Sequence, residues 1–268
     1  MNFIKRFEVR PGRKFHLRDC DPGETGNVTK ASAQPLLAKN IQRLAELQYQ
    51  LYAENKRALL IILQAMDAGG KDGTIRHVFS GLNPQGCRVT SFKAPSADEL
   101  AHDFLWRIHR AVPAKGEIGV FNRSHYEDVL IVRVHNLVPK SVWSKRYEQI
   151  NRFERHLADN HVVILKFFLH ISKDEQKERL EARLRDPRKN WKFEPRDLEE
   201  RKLWDDYRRA YEAALIRCST DHAPWFIIPA NKKWFRDLAI SAIIVDTLEK
   251  LDMQFPKPKY DLAKLKVV

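Results

Sequence analysis

Apolar positions along this chain alternate between two spacings. Leu59 to Leu63 form an unbroken aliphatic run between a charged segment and a glycine-rich turn, the pattern of a strand buried on both faces. Ile75 and Phe79 follow at helical spacing, so strand, glycine turn and helix succeed one another over 58–79. Ahead of them, Leu37, Ile41, Leu44, Leu47 and Leu51 predict a helix. Residues 1–35 are basic and broken by Pro11, Gly12, Pro22, Gly23 and Gly26. They read as an extended arm with loops that covers a sheet edge or touches another subunit.

Downstream, the Asn83-Pro84-Gln85-Gly86 turn leads into a second strand over Cys87–Phe92. Ser96 and Glu99 then predict a capping box for a helix with Leu100, Phe104 and Ile108 on its apolar face. A short strand begins at Gly119, and Tyr147, Ile150, Phe153 and Leu157 mark the next helix. His161–Ile171 is the longest apolar run and reads as a core strand. Ser172 with Glu175 caps a helix whose Leu180 and Leu184 should face inward. One long helix is expected from Asp197 to about Cys218, then a strand at Trp225–Pro229 and a closing helix to Leu251. This alternation argues a parallel sheet sandwiched between helices in one domain over 36–251, followed by a basic tail at 252–268.

With 268 residues, 43% apolar and 31% charged, the chain can bury one large core and is not of disordered type. No apolar run approaches the ~20 residues of a membrane span, and the N-terminal residues lack the apolar centre of a signal peptide. Cys20, Cys87 and Cys218 have neither metal nor disulfide spacing, so a reducing cytoplasm is the expected location. The charge changes the picture more. Lys plus Arg is 48 against 35 for Asp plus Glu, a net +13, which points to a polyanionic partner. Nucleic acid, an anionic membrane surface and an extended phosphate substrate all remain open on composition.

The turn after the first strand carries the candidate chemistry. Glycines let backbone N–H groups approach an anion, the helix N-terminus adds positive potential, and a lysine neutralises phosphate charge. Gly70 and Lys71 fit the end of a P-loop, but Ala65 occupies its first glycine position and Asp72 its hydroxyl position. With that hydroxyl absent, Asp67 is the natural metal-binding substitute, since hard cations take oxygen ligands. The plain alternative is a tight turn with a solvated lysine. After the third strand stand Asn122, Arg123, Ser124, His125, Tyr126, Glu127 and Asp128, where an open α/β sheet places its ligand crevice. An ordinary polar loop is the other reading. Arg185, Arg188, Lys189, Lys192 and Arg196 surround Trp191 and Phe193 between Pro187 and Pro195: a basic flap suited to covering phosphates, or a solvated charged loop. The whole reads as a P-loop phosphotransferase with no base-reading motif.

Four stretches, DAGGKDGTI (67–75), FNRSHYEDV (121–129), RLRDPRKNWKFEPRDLE (183–199) and PWFIIPANKKWFRDL (224–238), together resemble the second family of polyphosphate kinases. That family transfers phosphoryl groups between inorganic polyphosphate and nucleotides, and the resemblance runs from about Lys14 to Leu251. It implies a thymidylate-kinase-like three-layer α/β/α fold with a helical lid at about 179–202. Asn122, where many members have Asp, and Glu127 resemble the subgroup that phosphorylates both AMP and ADP, reversibly. The resemblance further implies that Asp67 binds Mg²⁺ (or Mn²⁺) and that Lys71 stabilises the transferred group. Arg123 and Arg183 join these two as catalytic residues. Ala68, Gly69, Gly70, Asp72, Gly73, Thr74, Asn122, Tyr126, Glu127, Arg188, Lys189 and Lys192 would bind nucleotide or phosphate. Transfer is expected in line, without a nucleophilic side chain. The implied partners are polyphosphate, AMP, ADP and ATP, with neither nucleic acid nor membrane, in a homodimer or homotetramer. Two rivals are an ATP-dependent nucleoside or nucleotide kinase of the same fold, indifferent to polyphosphate, and a basic nucleic-acid-binding protein, whose binding would survive Asp67→Asn.

Overall fold

A computed structural model describes residues 1–262 and 265 of the chain. In chain order the helices are α1 (Phe3–Phe7), α2 (Lys30–Glu54), α3 (Lys71–Val78), α4 (Ala97–Leu100), α5 (Trp106–His109), α6 (Ile131–Val134), α7 (Lys140–Asp159), α8 (Lys173–Arg185), α9 (Arg196–Lys202), α10 (Trp204–Cys218) and α11 (Lys233–Glu249). The strands are β1 (Ala58–Ala65), β2 (Cys87–Ser91), β3 (Ile118–Asn122), β4 (Val162–His170) and β5 (Trp225–Pro229). They form one sheet in the order β2-β3-β1-β4-β5, and every pairing is parallel.

β1 lies at the centre, and its alternation explains its unbroken aliphatic run. Leu59, Ile61 and Leu63 enter a core with residues of α2 and α11, whereas Ala58, Leu60 and Ile62 enter a second core with residues of α7 and α10. The result is three layers. The chain leaves β1 toward β2 and returns past it to β4, so the strand order reverses around β1 and opens a crevice at the strands' carboxyl ends.

Some local expectations are corrected. The first 35 residues are not only arm and loops. α1 packs Phe3 and Phe7 against Phe235, the latter edge-on, Glu8 bridges antiparallel to Phe226 at the β5 edge, and α2 begins at Lys30 under a Thr29–Ser32 capping box. The Ser96–Glu99 capping box forms, but its helix stops at Leu100 because Asp103 accepts the Leu105 N–H at 2.9 Å and starts a turn. The long helix after Asp197 is broken at Leu203, so that Tyr207 on α10 donates back to Glu200 on α9. Ser172 caps α8, while Glu175 pairs with Arg179 instead. Leu184 is 54% exposed, since the buried face of α8 is Gln176, Arg179 and Leu180. In the basic tail, Met253 is buried and Phe255 packs on Tyr49; residues 263, 264 and 266–268 lie outside the described residues. Among the described residues no helix is long and apolar enough to cross a membrane.

Candidate active site

β1 ends at Ala65 and the chain reverses over Met66–Gly70 before α3 begins. Gly70 has φ 104°, and a Cβ there would overlap the Arg236 guanidinium, so two independent constraints demand glycine. Ala68, with φ 60°, takes the other left-handed position. Lys71 opens α3 and its Nζ donates to the Ala65 carbonyl at 3.3 Å. Burial, with Arg123 beside it, holds the Lys71 ammonium below the usual lysine range, against the pull of Asp67, Glu127 and Asp72.

β3 delivers the opposing groups. The Arg123 backbone, at φ 63°, donates its N–H to Leu63 at 3.1 Å, and its Nη2 reaches Asp67 Oδ1 at 3.4 Å. Asn122 donates to Asp72 Oδ1 at 2.8 Å. Glu127 follows in a 3-10 turn, where burial raises its carboxyl above the usual range despite Arg123 and Lys71. From the far side, α8 secures the loop. Arg179 donates to the carbonyls of Ala68, Gly69, Ala230 and Asn231, and Gln176 donates to that of Asp67. Arg183 is held by Asp197 at 3.0 Å.

Two cavities meet over these residues. One, of about 650 Å³, has apolar walls of Phe92, Leu100, Leu130, Ile131 and Trp204, with Asp128, Arg107 and Arg146 among its polar groups. The other, of about 600 Å³, runs over the glycine loop between basic side chains that include Arg76, Arg179, Lys189 and Lys192. Asp67, Phe92, Lys93, Arg123 and Asp197 line both.

Most of the residues expected at the site come together. Ala68, Gly69, Gly70, Lys71, Asp72, Gly73, Asn122, Arg183, Lys189 and Lys192 line the basic cavity, and Glu127 lines the apolar one. Three do not join them. Tyr126 is fully buried, donating to Glu154 and accepting from Lys166 in a cluster with His125 behind the turn. Thr74 is buried beneath the loop, its hydroxyl without a partner among the described residues. Arg188 has an 88% exposed side chain and pairs with Asp186. Arg179, Asp197, Lys233 and Arg236 also line the basic cavity, beyond the residues expected there from sequence. Arg236 carried a legible signal, because an arginine inside the apolar helix WFRDLAISAII has to be paired or used.

The donor set suits Mg²⁺ or Mn²⁺. Asp67 faces the seam of the two cavities with a 30% exposed side chain, and Arg123 is its ion-pair partner. Among the described residues no group of three or more His, Cys, Asp or Glu forms a metal cage. Mg²⁺ does not require one, since it is commonly held by one or two carboxylates, substrate phosphates and water.

Against known proteins, the family profile described as Polyphosphate kinase 2 matches residues 27–256. The chain is 56% identical, over 98% of its length and 99% of the relative's, to an AMP/ADP-polyphosphate phosphotransferase of Meiothermus ruber. It is 51% identical to an ADP-polyphosphate phosphotransferase of Rhodopseudomonas palustris, covering 94% and 92% of the two chains. Its fold superposes on the crystal structure of Polyphosphate Kinase 2 from Arthrobacter aurescens with a TM-score of 0.92 at 48% identity, covering 95% of this chain and 92% of that one.

Proposed function

The chain belongs to the polyphosphate kinase 2 family, and on that premise we propose that it transfers phosphoryl groups between inorganic polyphosphate and adenine nucleotides, AMP to ADP and ADP to ATP, reversibly. The observation that carries this reading is the meeting of two unlike cavities at Asp67 and Arg123. The apolar cavity takes the nucleoside, whose phosphates reach the seam. The basic cavity takes the polyphosphate, whose charge its lysines and arginines neutralise. At the seam Lys71 and Arg123 stabilise the charge that develops on the transferred group, and the loop holds donor and acceptor in line. Asp67 would hold Mg²⁺ or Mn²⁺, which would supply positive charge to neutralise that of the phosphates.

In the same reading, residues 179–202 act as a lid whose Lys189 and Lys192 cover the donor chain, and residues 252–268 act as a basic tail. A homodimer or homotetramer in the cytoplasm completes the proposal. The test is an incubation of purified protein with Mg²⁺, polyphosphate and AMP, without ATP. ADP and then ATP should form. No product, with turnover restored by ATP as donor, would assign an ATP-dependent nucleotide kinase instead.

A further inference from the structure

α11 carries a charged pair inside its apolar sequence: the side chains of Arg236 and Asp237 are 1% and 4% exposed. Asp237 Oδ1 accepts from Arg236 Nε at 2.8 Å and lies 2.7 Å from Nη2. Its other oxygen is 3.0 Å from Nδ1 of His77, a half-exposed residue of α3. The remaining nitrogen, Nη1, is the one nearest Gly70, and among the described residues it donates to no protein acceptor. Arg179 and Lys233 reach the same corner. Burial, with Arg179 and Arg236 close by, depresses the Lys233 ammonium. The three cations are met there by Glu175 and Asp237, which are committed to Arg179 and Arg236. The corner opens onto the glycine loop, where an anion would complete its hydrogen bonds and offset its charge. Arg236 lines the basic cavity and not the apolar one, so the anion lies on the side of the seam away from the nucleoside cavity.

Resting on the polyphosphate reading above, we infer that Arg236 binds a phosphate of the polyphosphate chain beside Gly70. Asp237, steadied by His77, is the positioning residue that turns the guanidinium toward it. The carboxylate occupies one edge of the fork and leaves Nη1 directed at the donor chain, so Asp237 acts on substrate only through Arg236.

The test is steady-state kinetics of Arg236→Lys, Asp237→Asn, His77→Ala and His77→Gln, varying polyphosphate at saturating ADP and then the reverse. Arg236→Lys and Asp237→Asn should raise the KM for polyphosphate about tenfold, and His77→Ala about threefold, with the KM for ADP within about twofold of wild type. His77→Gln, which can still donate to Asp237, should restore the KM. His77→Ala should retain its Tm, because the residue is half exposed. An unchanged polyphosphate KM in both Arg236→Lys and His77→Ala, with any loss confined to kcat or Tm, overturns the inference. A wild-type protein that uses ATP but not polyphosphate defeats the underlying reading instead, and that outcome is visible before any variant is made.

Discussion

The Arg179 guanidinium donates to the Gly69 carbonyl at 3.1 Å across 110 residues of sequence, and on its other nitrogen to Ala230 at 2.6 Å. One side chain thus ties the glycine loop after β1 to the end of β5. Because its planar fork bonds four carbonyls, lysine cannot replace it. Arg179→Lys should lower kcat by about ten- to a hundredfold through misplacement of the loop, with a loss of stability of ~1–3 kcal/mol. Turnover and denaturant unfolding of the variant check both. Wild-type kcat would detach the clamp from catalysis.

Gly70 faces a separate constraint. Gly70→Ala combines a left-handed backbone with overlap on the Arg236 guanidinium. Backbone strain alone costs about 1–2 kcal/mol, and displacement of Arg236 adds loss of phosphate binding. The expected result is a folded protein with polyphosphate-dependent turnover down by more than about a hundredfold, measured beside a circular dichroism spectrum that matches wild type.

Asp128 provides a pH signature. Burial pushes its carboxyl up to about 6, although Arg146 donates to it at 2.8 Å. Between about pH 4 and 6 the folded chain therefore holds a proton that the unfolded chain has released, so this group's contribution to stability falls as pH rises through that window. Asp128→Asn removes the dependence. The Tm of the variant relative to wild type should climb between pH 4 and 7, by the equivalent of at most about 3 kcal/mol. A difference flat across that range would contradict the assignment.

Glu200 ties α9 to the walls of the apolar cavity. Burial alone would raise its carboxyl, but hydrogen bonds from His135, Tyr207 and Arg196 outweigh that and hold it below the usual range. Glu200→Gln loosens all three contacts. It should raise the KM for AMP and ADP by about three- to tenfold and leave that for polyphosphate unchanged. The opposite selectivity would reverse the assignment of the two cavities.

Much of this arrangement is legible in the amino-acid sequence. The Leu59–Leu63 run, the glycines and Lys71 specify a strand, loop and helix through local rules alone, and β3 sets Asn122 and Arg123 where a crevice was expected. What could not be read depends on contacts distant in sequence. Arg179 and Arg236 reach the loop from α8 and α11, and nothing in their local spacing names Gly69 or Gly70 as partners. Tyr126 stands beside site residues in sequence, yet the 3-10 turn at His125–Val129 directs it to Glu154 and Lys166 in the core while Glu127 faces the cavity. The break at Leu203 was hidden because the apolar spacing of Leu203, Tyr207, Tyr211 and Leu215 is compatible with one straight helix.

The most direct measurement follows the phosphorus itself. Polyphosphate labelled with ³²P is incubated with Mg²⁺ and unlabelled AMP, using wild-type protein and Asp67→Asn, and both nucleotides and protein are counted. Direct transfer across the seam predicts label in ADP and then ATP, none bound covalently to the protein, and no labelled nucleotide from Asp67→Asn. Label retained on the wild-type chain, or undiminished transfer by Asp67→Asn, would contradict the account.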